Sequence, residues 1–369
     1  MARQAEQHLA LELQVINALN VFPVPDGDTG TNMLATVRGA LRHAEASCTL
    51  QEAVEKLALG AMLGARGNSG VILSQLFRAQ QEVLTARSSP EGLTPGDLAG
   101  ILGRASDLAA SAVANPVEGT MLSVLRASAL PLPSQWERLG EGSQDPRAEF
   151  LLDVLRAAET AVGATPDQLP ILREAGVVDS GGYGLLTLLR GWYEALAGRP
   201  APDFGTVLLG LERARDQAAA GVAHPADLLA RPAHGYGYCV TLLVDAPTAD
   251  EAVARQQLQD IGDSVLVVAG DGQIKLHVHV PDPEIAMEFA RRLGTITGSE
   301  ISNIDEQTRA IAIPIVAVAS GEGLARVFRA FGAAVVSGGQ TQNPSTAELL
   351  AACEAQPAPV FLLPNNGNV

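Results

Sequence analysis

Asn20-Val-Phe-Pro-Val-Pro-Asp-Gly-Asp-Thr-Gly-Thr-Asn-Met33 decides how this chain is read, because it carries residue types that a plain connector between helices does not need. Pro23 and Pro25 restrict the backbone, whereas Gly27 and Gly30 permit turns and close approaches that other residues resist. Asp26 and Asp28, one residue apart, offer two hard oxygen ligands on a tight loop. Mg²⁺ typically takes one or two carboxylates and completes its octahedron with water and substrate phosphates. Thr29, Thr31 and Asn32 follow as the chain enters a helix, where free N–H groups can meet phosphate oxygens. An EF-hand loop beginning at Asp26 would need Asp or Asn at its fifth position and Glu at its twelfth. Those positions hold Gly30 and Val37, so calcium of that type is excluded. A Pro/Asp/Gly turn with a threonine cap remains the plain structural alternative for Asp-Gly-Asp alone.

Working outward, apolar residues recur at three- and four-residue spacing in Leu9–Leu19, Ala53–Met62, Val71–Val83, Leu98–Val113, Leu151–Val162 and Leu185–Leu196. Residues 1–200 are therefore expected to be almost wholly helical. Between the helices lie Gly-, Pro- and Asp-rich loops at 22–30, 64–69, 115–119 and 176–182, and 131–147 reads as a surface excursion. Residues 201–233 read as a linker around a short helical stretch. Residues 234–308 form an α/β middle domain, with strands expected at Tyr238–Asp245, Ser264–Ala269 and Ile274–Val280 and helices at Ala249–Ile261 and Glu284–Leu293. Residues 309–369 read as β-α-β-α-β, part of a doubly wound sheet. Its buried strands are expected at Ile311–Ala319, Ala334–Ser337 and Val360–Leu363, with helices at Gly323–Phe331 and Ser345–Ala355. The segment stops where another helix is expected, the mark of a truncated or unusually short chain.

Composition narrows the function classes. Hydrophobic residues make up 47% and charged residues 18%, which fits a globular chain rather than a disordered one. The net charge of −16 lacks the basic field that nucleic-acid binding needs. Acidity does not exclude ATP, which backbone N–H groups and a metal ion can hold. Three widely spaced cysteines, Cys48, Cys239 and Cys353, argue against a disulfide framework. With no signal core and no apolar run long enough for a membrane span, a cytoplasmic protein is expected.

Other loops carry chemistry too. Gly64-Ala-Arg-Gly-Asn-Ser-Gly70 lacks the lysine of a Walker A loop and the spacing of a dinucleotide fingerprint, yet Gly67, Asn68, Ser69 and Gly70 could form an anion-binding nest. An αα-corner with close helix packing is the competing reading. Pro116-Val-Glu-Gly-Thr-Met121 and Val178-Asp-Ser-Gly-Gly-Tyr-Gly184 are similar loop-to-helix junctions, in which Thr120 and Asp179 also suit ordinary capping. In the middle domain, His277 and His279 are two apart on an expected strand and so share a face. With Cys239 they suit Zn²⁺, as a structural or regulatory site separate from the loops. Hydrogen-bonded sheet histidines and a buried free thiol are the alternative.

Taken together, Ile16–Met33, Gly64–Gln75, Pro116–Leu122 and Val177–Leu185 resemble the nucleotide-binding L domain of dihydroxyacetone kinases, in the variant found in the large subunit of bacterial fatty acid kinase. The resemblance extends along the chain through Tyr236-Gly-Tyr-Cys239, Lys275-Leu-His-Val-His279 and Leu363-Pro-Asn-Asn366. It implies a barrel of helices with ATP at one end. Asp26 and Asp28 would be catalytic and hold Mg²⁺, with Thr29, Thr31 and Asn32 alongside. Ser69 and Gly70 would contact phosphate oxygens, and Thr120, Met121 and the Asp179–Gly182 loop, with Gly181, would lie near the nucleoside. Where the dihydroxyacetone kinases have a third Asp, this chain offers Asn20, a weaker amide ligand, which leaves a second Mg²⁺ open. The resemblance further implies a fatty acid carboxylate as acceptor, an acyl phosphate as product feeding phospholipid metabolism, a separate fatty-acid-binding partner and a homodimer. A dihydroxyacetone-type small-molecule kinase and a non-catalytic nucleotide sensor are the competing functions. None of the six histidines lies in the four loops, so no imidazole base comes from these motifs.

Overall fold

The computed structural model describes residues 1–47, 49–86, 92–129, 145–206, 208–220, 235–307, 315–330, 333–338, 343–356 and 360–365. The chain divides into two compact units, Met1–Thr308 and Arg309–Val369. In the first, helices α1 (Ala2–Ala18), α2 (Thr29–Ala44), α3 (Leu50–Gly64), α4 (Gly67–Thr85), α5 (Pro95–Ala112), α6 (Met121–Ala129), α7 (Pro146–Gln168) and α9 (Ser180–Ala197) carry the expected apolar stripes. Each packs on the next, short α8 (Pro170–Ala175) aside, and α9 returns to α1. Their stripes meet in one core that buries Leu9, Ile16, Met33, Leu73, Leu102, Tyr183 and Trp192. Local chemistry sets the ends. Thr94 and Asp97 form a capping box on α5, Thr49 caps α3, and Gly176 and Gly198 close α8 and α9 in left-handed conformation.

Within the stretch expected as a linker, α10 (Leu211–Ala220) packs on α1 and buries Ala214. Arg213 holds it there by donating to Ala175 O at 2.7 Å. The expected excursion at 131–147 lies outside the described residues except for its last three, and His224–Pro232 lies wholly outside them.

The middle domain is a four-stranded antiparallel sheet in the order β2 (Asp263–Gly270), β3 (Gln273–Val280), β1 (Tyr238–Asp245), β4 (Thr295–Asn303). Helices α11 (Glu251–Gln259) and α12 (Pro283–Leu293) cover one face, burying Val240, Leu242, Leu276, Val278 and Phe289. Period-two alternation turns Cys239, Thr241, Lys275, His277 and His279 to the other face. That face meets the helical domain: Leu266 and Val268 of β2 join the helical core, and Ala114 N–H donates to Val265 O at 3.1 Å. A one-turn helix, α13 (Ile304–Gln307), follows β4.

The second unit holds a three-stranded parallel sheet in the order β6 (Ala334–Ser337), β5 (Ile315–Ala319), β7 (Phe361–Leu363), with α14 (Glu322–Ala330) and α15 (Thr346–Glu354) as crossovers. Only β5 is deeply buried. Phe361 is 57% exposed, so β7 is not the buried strand that its apolar sequence suggests. As an outer strand resting on β5 alone, it lacks a neighbour on its other side among the described residues.

Candidate active site

The loop after α1 is shaped by two asparagines. Asn20 Nδ2 donates to Val24 O at 2.7 Å, while its Oδ1 accepts from the Thr29 N–H at 3.1 Å and from the Thr29 hydroxyl. Both lone pairs of that oxygen are thereby engaged, so Asn20 shapes the loop and has none left for a metal. Asn17 Oδ1 accepts from Gly30 N at 2.7 Å and Thr31 N at 3.2 Å, and Asn32 N donates to Asp28 O. The first amides of α2 are therefore taken, which corrects the expectation that they meet phosphate. Thr31 is exposed and its hydroxyl accepts from Asn17, away from the cavity described below.

The start of α4 is different. Its N-cap, Arg66, supplies no side-chain acceptor, and the amides of Gly67, Asn68 and Ser69 have no protein acceptor among the described residues. Unsatisfied first-turn amides at the positive end of a nineteen-residue helix are groups that an anion could satisfy. Asn68 Oδ1 is buried without a partner beside them. Gly67 takes φ +55°, and a Cβ there would sit 2.5 Å from the Asn32 side-chain nitrogen. Gly67→Ala is thus expected to cost about 1–2 kcal/mol and to weaken Mg-ADP binding. Thermal unfolding and calorimetric titration check this, and unchanged values for both would refute the tight approach.

Asp26 and Asp28 lie across Gly27, whose φ of +67° makes the turn. Burial, then the adjacent Asp28 charge, pushes the Asp26 carboxyl well above the usual carboxylate range. Burial raises Asp28 too, against the hydrogen bond from Asn32. Two half-buried carboxylates in mutual contact form a hard donor pair that a divalent cation relieves, and the set fits Mg²⁺.

Asp179 is the N-cap of α9. It accepts from Gly182 N at 2.7 Å and from Met121 N, so one carboxylate ties the starts of α9 and α6 together. Burial pushes it up to about 7 even so. Thr29 Oγ1 lies 3.1 Å from Ser180 Oγ, linking this corner to the aspartate loop.

On the middle sheet, β1–β3 pairing places Cys239 opposite His279 and Thr241 opposite His277. The Cys239, His277 and His279 ligand atoms all lie within 4.8 Å of one another. Zinc bonds of about 2.0–2.3 Å imply ligand separations of roughly 3.5 Å, so a small closure completes the set. His277 Nδ1 is 3.0 Å from Thr241 Oγ1, which leaves Nε2 as the free nitrogen, fully buried and without a partner. Cys239 Sγ lies 3.9 Å from the same Nδ1, so the buried orphan Nε2 is the nitrogen open to a further partner, such as a metal ion. Burial lowers His277 well below its ordinary value and His279 to about 4, keeping both neutral. Burial, then the charges of Asp28 and Asp26, raises Cys239 to about 12. The shift reflects how near the aspartate loop lies to the middle-domain set.

A single cavity of about 280 Å³ is lined by Asp26, Asp28, Thr29, Asn32, Gly67, Asn68 and Ser69 on one side and by Cys239, His277 and His279 on another. The cysteine–histidine set expected as a separate site shares the cavity of the aspartate loop. Asn20, Thr120, Met121, Asp179 and Gly181 also line it, whereas Thr31, Gly70 and Gly182 do not. Sequence reading missed its apolar walls, Ile72, Val113, Leu122, Val265 and Leu266, along with Ser264, whereas Ser180 belongs to the expected Asp179–Gly182 loop. Ser264, with φ +53° in the irregular stretch of β2, carries no marker in the sequence alone.

Comparison with known proteins follows the same division. Residues 23–194 match the DAK2 domain, 235–311 the middle domain of FakA-like fatty acid kinase proteins, and 314–369 their C-terminal domain. The matched domains support a kinase. The chain belongs to the FakA-like fatty acid kinase family. It is 36% identical to protein YloV of Bacillus subtilis, over 98% of this chain and 68% of that one. It is 33% identical to an uncharacterized protein of Staphylococcus saprophyticus, over 100% and 69%. Among solved structures, the dihydroxyacetone kinase of C. freundii is similar over 53% of this chain and 33% of its own, with 18% identity and a TM-score of 0.37. No helix among the described residues is long and apolar enough to cross a membrane.

Proposed function

We propose that this chain is the ATP-binding component of a fatty acid kinase, transferring the γ-phosphoryl group of ATP to a fatty acid carboxylate presented by a separate acyl-binding protein. The observation that supports this most is the shared cavity, in which a DAK2-type loop faces a side-chain set from the fatty acid kinase middle domain. In this reading the helices form a barrel with nucleotide at the loop end. Asp26 and Asp28 hold Mg²⁺, which when bound neutralises phosphate charge. The Gly67–Ser69 amides receive phosphate oxygens, and Thr120, Met121 and the Asp179–Gly181 turn border the nucleoside.

A carboxylate oxygen of the acceptor forms the new bond to the γ-phosphorus as the bond to the β,γ-bridging oxygen breaks, releasing ADP. The acceptor is already anionic at neutral pH, so no proton has to be removed. Burial leaves His277 and His279 weak bases, in keeping with a reaction that needs none. Cys239, His277 and His279 would hold Zn²⁺, which supplies positive charge on the wall facing the aspartates. A cavity of about 280 Å³ lies just below the usual range of small-molecule sites, about 300–1,000 Å³, and offers no separate room for a long acyl chain.

The test is Mg-ATP consumption with fatty acid alone, with fatty acid on a lipid-loaded binding protein, and with dihydroxyacetone. Turnover is expected only with the loaded protein. Turnover on dihydroxyacetone would instead make the chain a small-molecule kinase, and nucleotide binding without turnover on any acceptor would make it a sensor.

A further inference from the structure

Lys275 lies on β3, two residues before His277 on the same sheet face, and is only 5% exposed. A buried ammonium needs partners, and this one donates to Met62 O at 2.9 Å and Leu63 O at 3.0 Å. Those carbonyls belong to the last turn of α3, where the helix dipole is negative. Helix α3 has no basic residue of its own in that turn, and its C-cap Ala65 offers only a 3.4 Å contact to Met62 O. The cation that completes the helix end therefore comes from the middle domain.

Helix α3 ends at Gly64 and α4 begins at Gly67, so only Gly64, Ala65 and Arg66 separate the Leu63 carbonyl that Lys275 holds from the open amides of Gly67–Ser69. Glu300 on β4 grips the same corner from its other flank through Arg66, at 3.1 Å. That pair is exposed and weak alone. Together the two contacts attach the sheet that carries Cys239, His277 and His279 to the corner that faces the aspartate loop.

We propose that Lys275 is a positioning residue, a latch that docks the middle sheet on the end of α3 and thereby sets the Gly67–Ser69 amides for phosphate. The latch acts through the corner and touches no reacting atom. A lysine that merely filled a buried space would support stability in general and leave this corner no more affected than the rest of the core.

Amide hydrogen exchange and Mg-ADP titration on the full chain separate the two. In Lys275→Met, amides 70–73, the first to donate within α4, are expected to exchange about tenfold faster and the Kd for Mg-ADP to rise about tenfold, while exchange in the α9 core stays within about twofold. Lys275→Arg, which keeps the charge and donors, is expected to recover most of both changes. Unchanged exchange at 70–73, or equal acceleration in α9, would overturn the latch. Should Lys275→Met fail to fold, Glu300→Gln loosens the other flank without opening the core. Exchange at 70–73 is then expected to rise about threefold, and wild-type rates there overturn the proposal. Only the nucleotide measurement rests on the kinase reading. Failure of the wild-type chain to bind Mg-ADP would sink that reading, while the exchange data still decide the latch.

Discussion

Asp26→Ala and Asp28→Ala are each expected to lower phosphoryl transfer by at least about 10³-fold while leaving the helical fold intact. Phosphoryl transfer depends on placing and neutralising phosphate charge, and these two carboxylates line the same cavity as Gly67, Asn68 and Ser69 at the start of α4. The ends of the loop are held by other residues, because Asn20 and Asn17 tie them through Val24, Thr29, Gly30 and Thr31. Steady-state transfer with circular dichroism as control measures both halves of the claim. Activity within about tenfold of wild type in either variant would remove the metal assignment. A second arm uses charge alone. Asp26→Asn keeps the shape but relieves the contact of two half-buried like charges, so without Mg²⁺ it is expected to gain about 1 kcal/mol, or roughly 2–4 °C in Tm. The gain that Mg-ADP gives the wild type should shrink in the same variant. A drop in Tm without metal would mean that the two carboxylates stabilise the loop rather than strain it.

The helices were legible because each buries a stripe of period 3.6 and is bounded by residues with a reason to be there, such as Thr94 with Asp97 or Gly198. Strand β3 was legible from the alternation of Ile274, Leu276, Val278 and Val280 against Lys275, His277 and His279. Strand β4 was not. Thr295-Ile-Thr-Gly-Ser-Glu-Ile-Ser-Asn303 is polar, contains Gly298 and lies at the sheet edge, so no buried face imprints a pattern on it. Strand β7 shows the converse, since an apolar run suggests burial whether or not a neighbour covers it.

The site was legible as separate strings and illegible as one place. Asp-Gly-Asp and His-Val-His are each visible, but that they face one cavity depends on the docking of β2 against α5 and of Lys275 against α3. Those contacts join residues more than 150 positions apart. Lys275 itself reads as a solvent-facing lysine on an alternating strand. The capping of α2 was missed for a related reason. Asn17 and Asn20 look like polar residues at the end of α1, and only the turn of the chain brings them back to the amides of Thr29, Gly30 and Thr31.

Removal of the cysteine–histidine set should separate nucleotide binding from transfer. Freshly purified protein is expected to hold about one zinc per chain after dialysis, and Cys239→Ser or His277→Gln to lower zinc affinity at least about 100-fold. Content well below one zinc per chain in the wild type would leave Cys239, His277 and His279 as a hydrogen-bonded cluster. His277 is the sharper probe, because its buried Nε2 has no partner among the described residues while its Nδ1 is oriented by Thr241. Since the set lies on the middle sheet and the α4 amides on the helical domain, His277→Gln is expected to leave the Kd for Mg-ADP within about twofold. Transfer to the presented fatty acid should fall by about 10² or more, as for loss of one preorganised electrostatic contact. A purely structural zinc site would behave otherwise, lowering Tm and weakening nucleotide binding and transfer together. A variant with full transfer would detach the middle-domain set from the chemistry, leaving the aspartate loop to act alone.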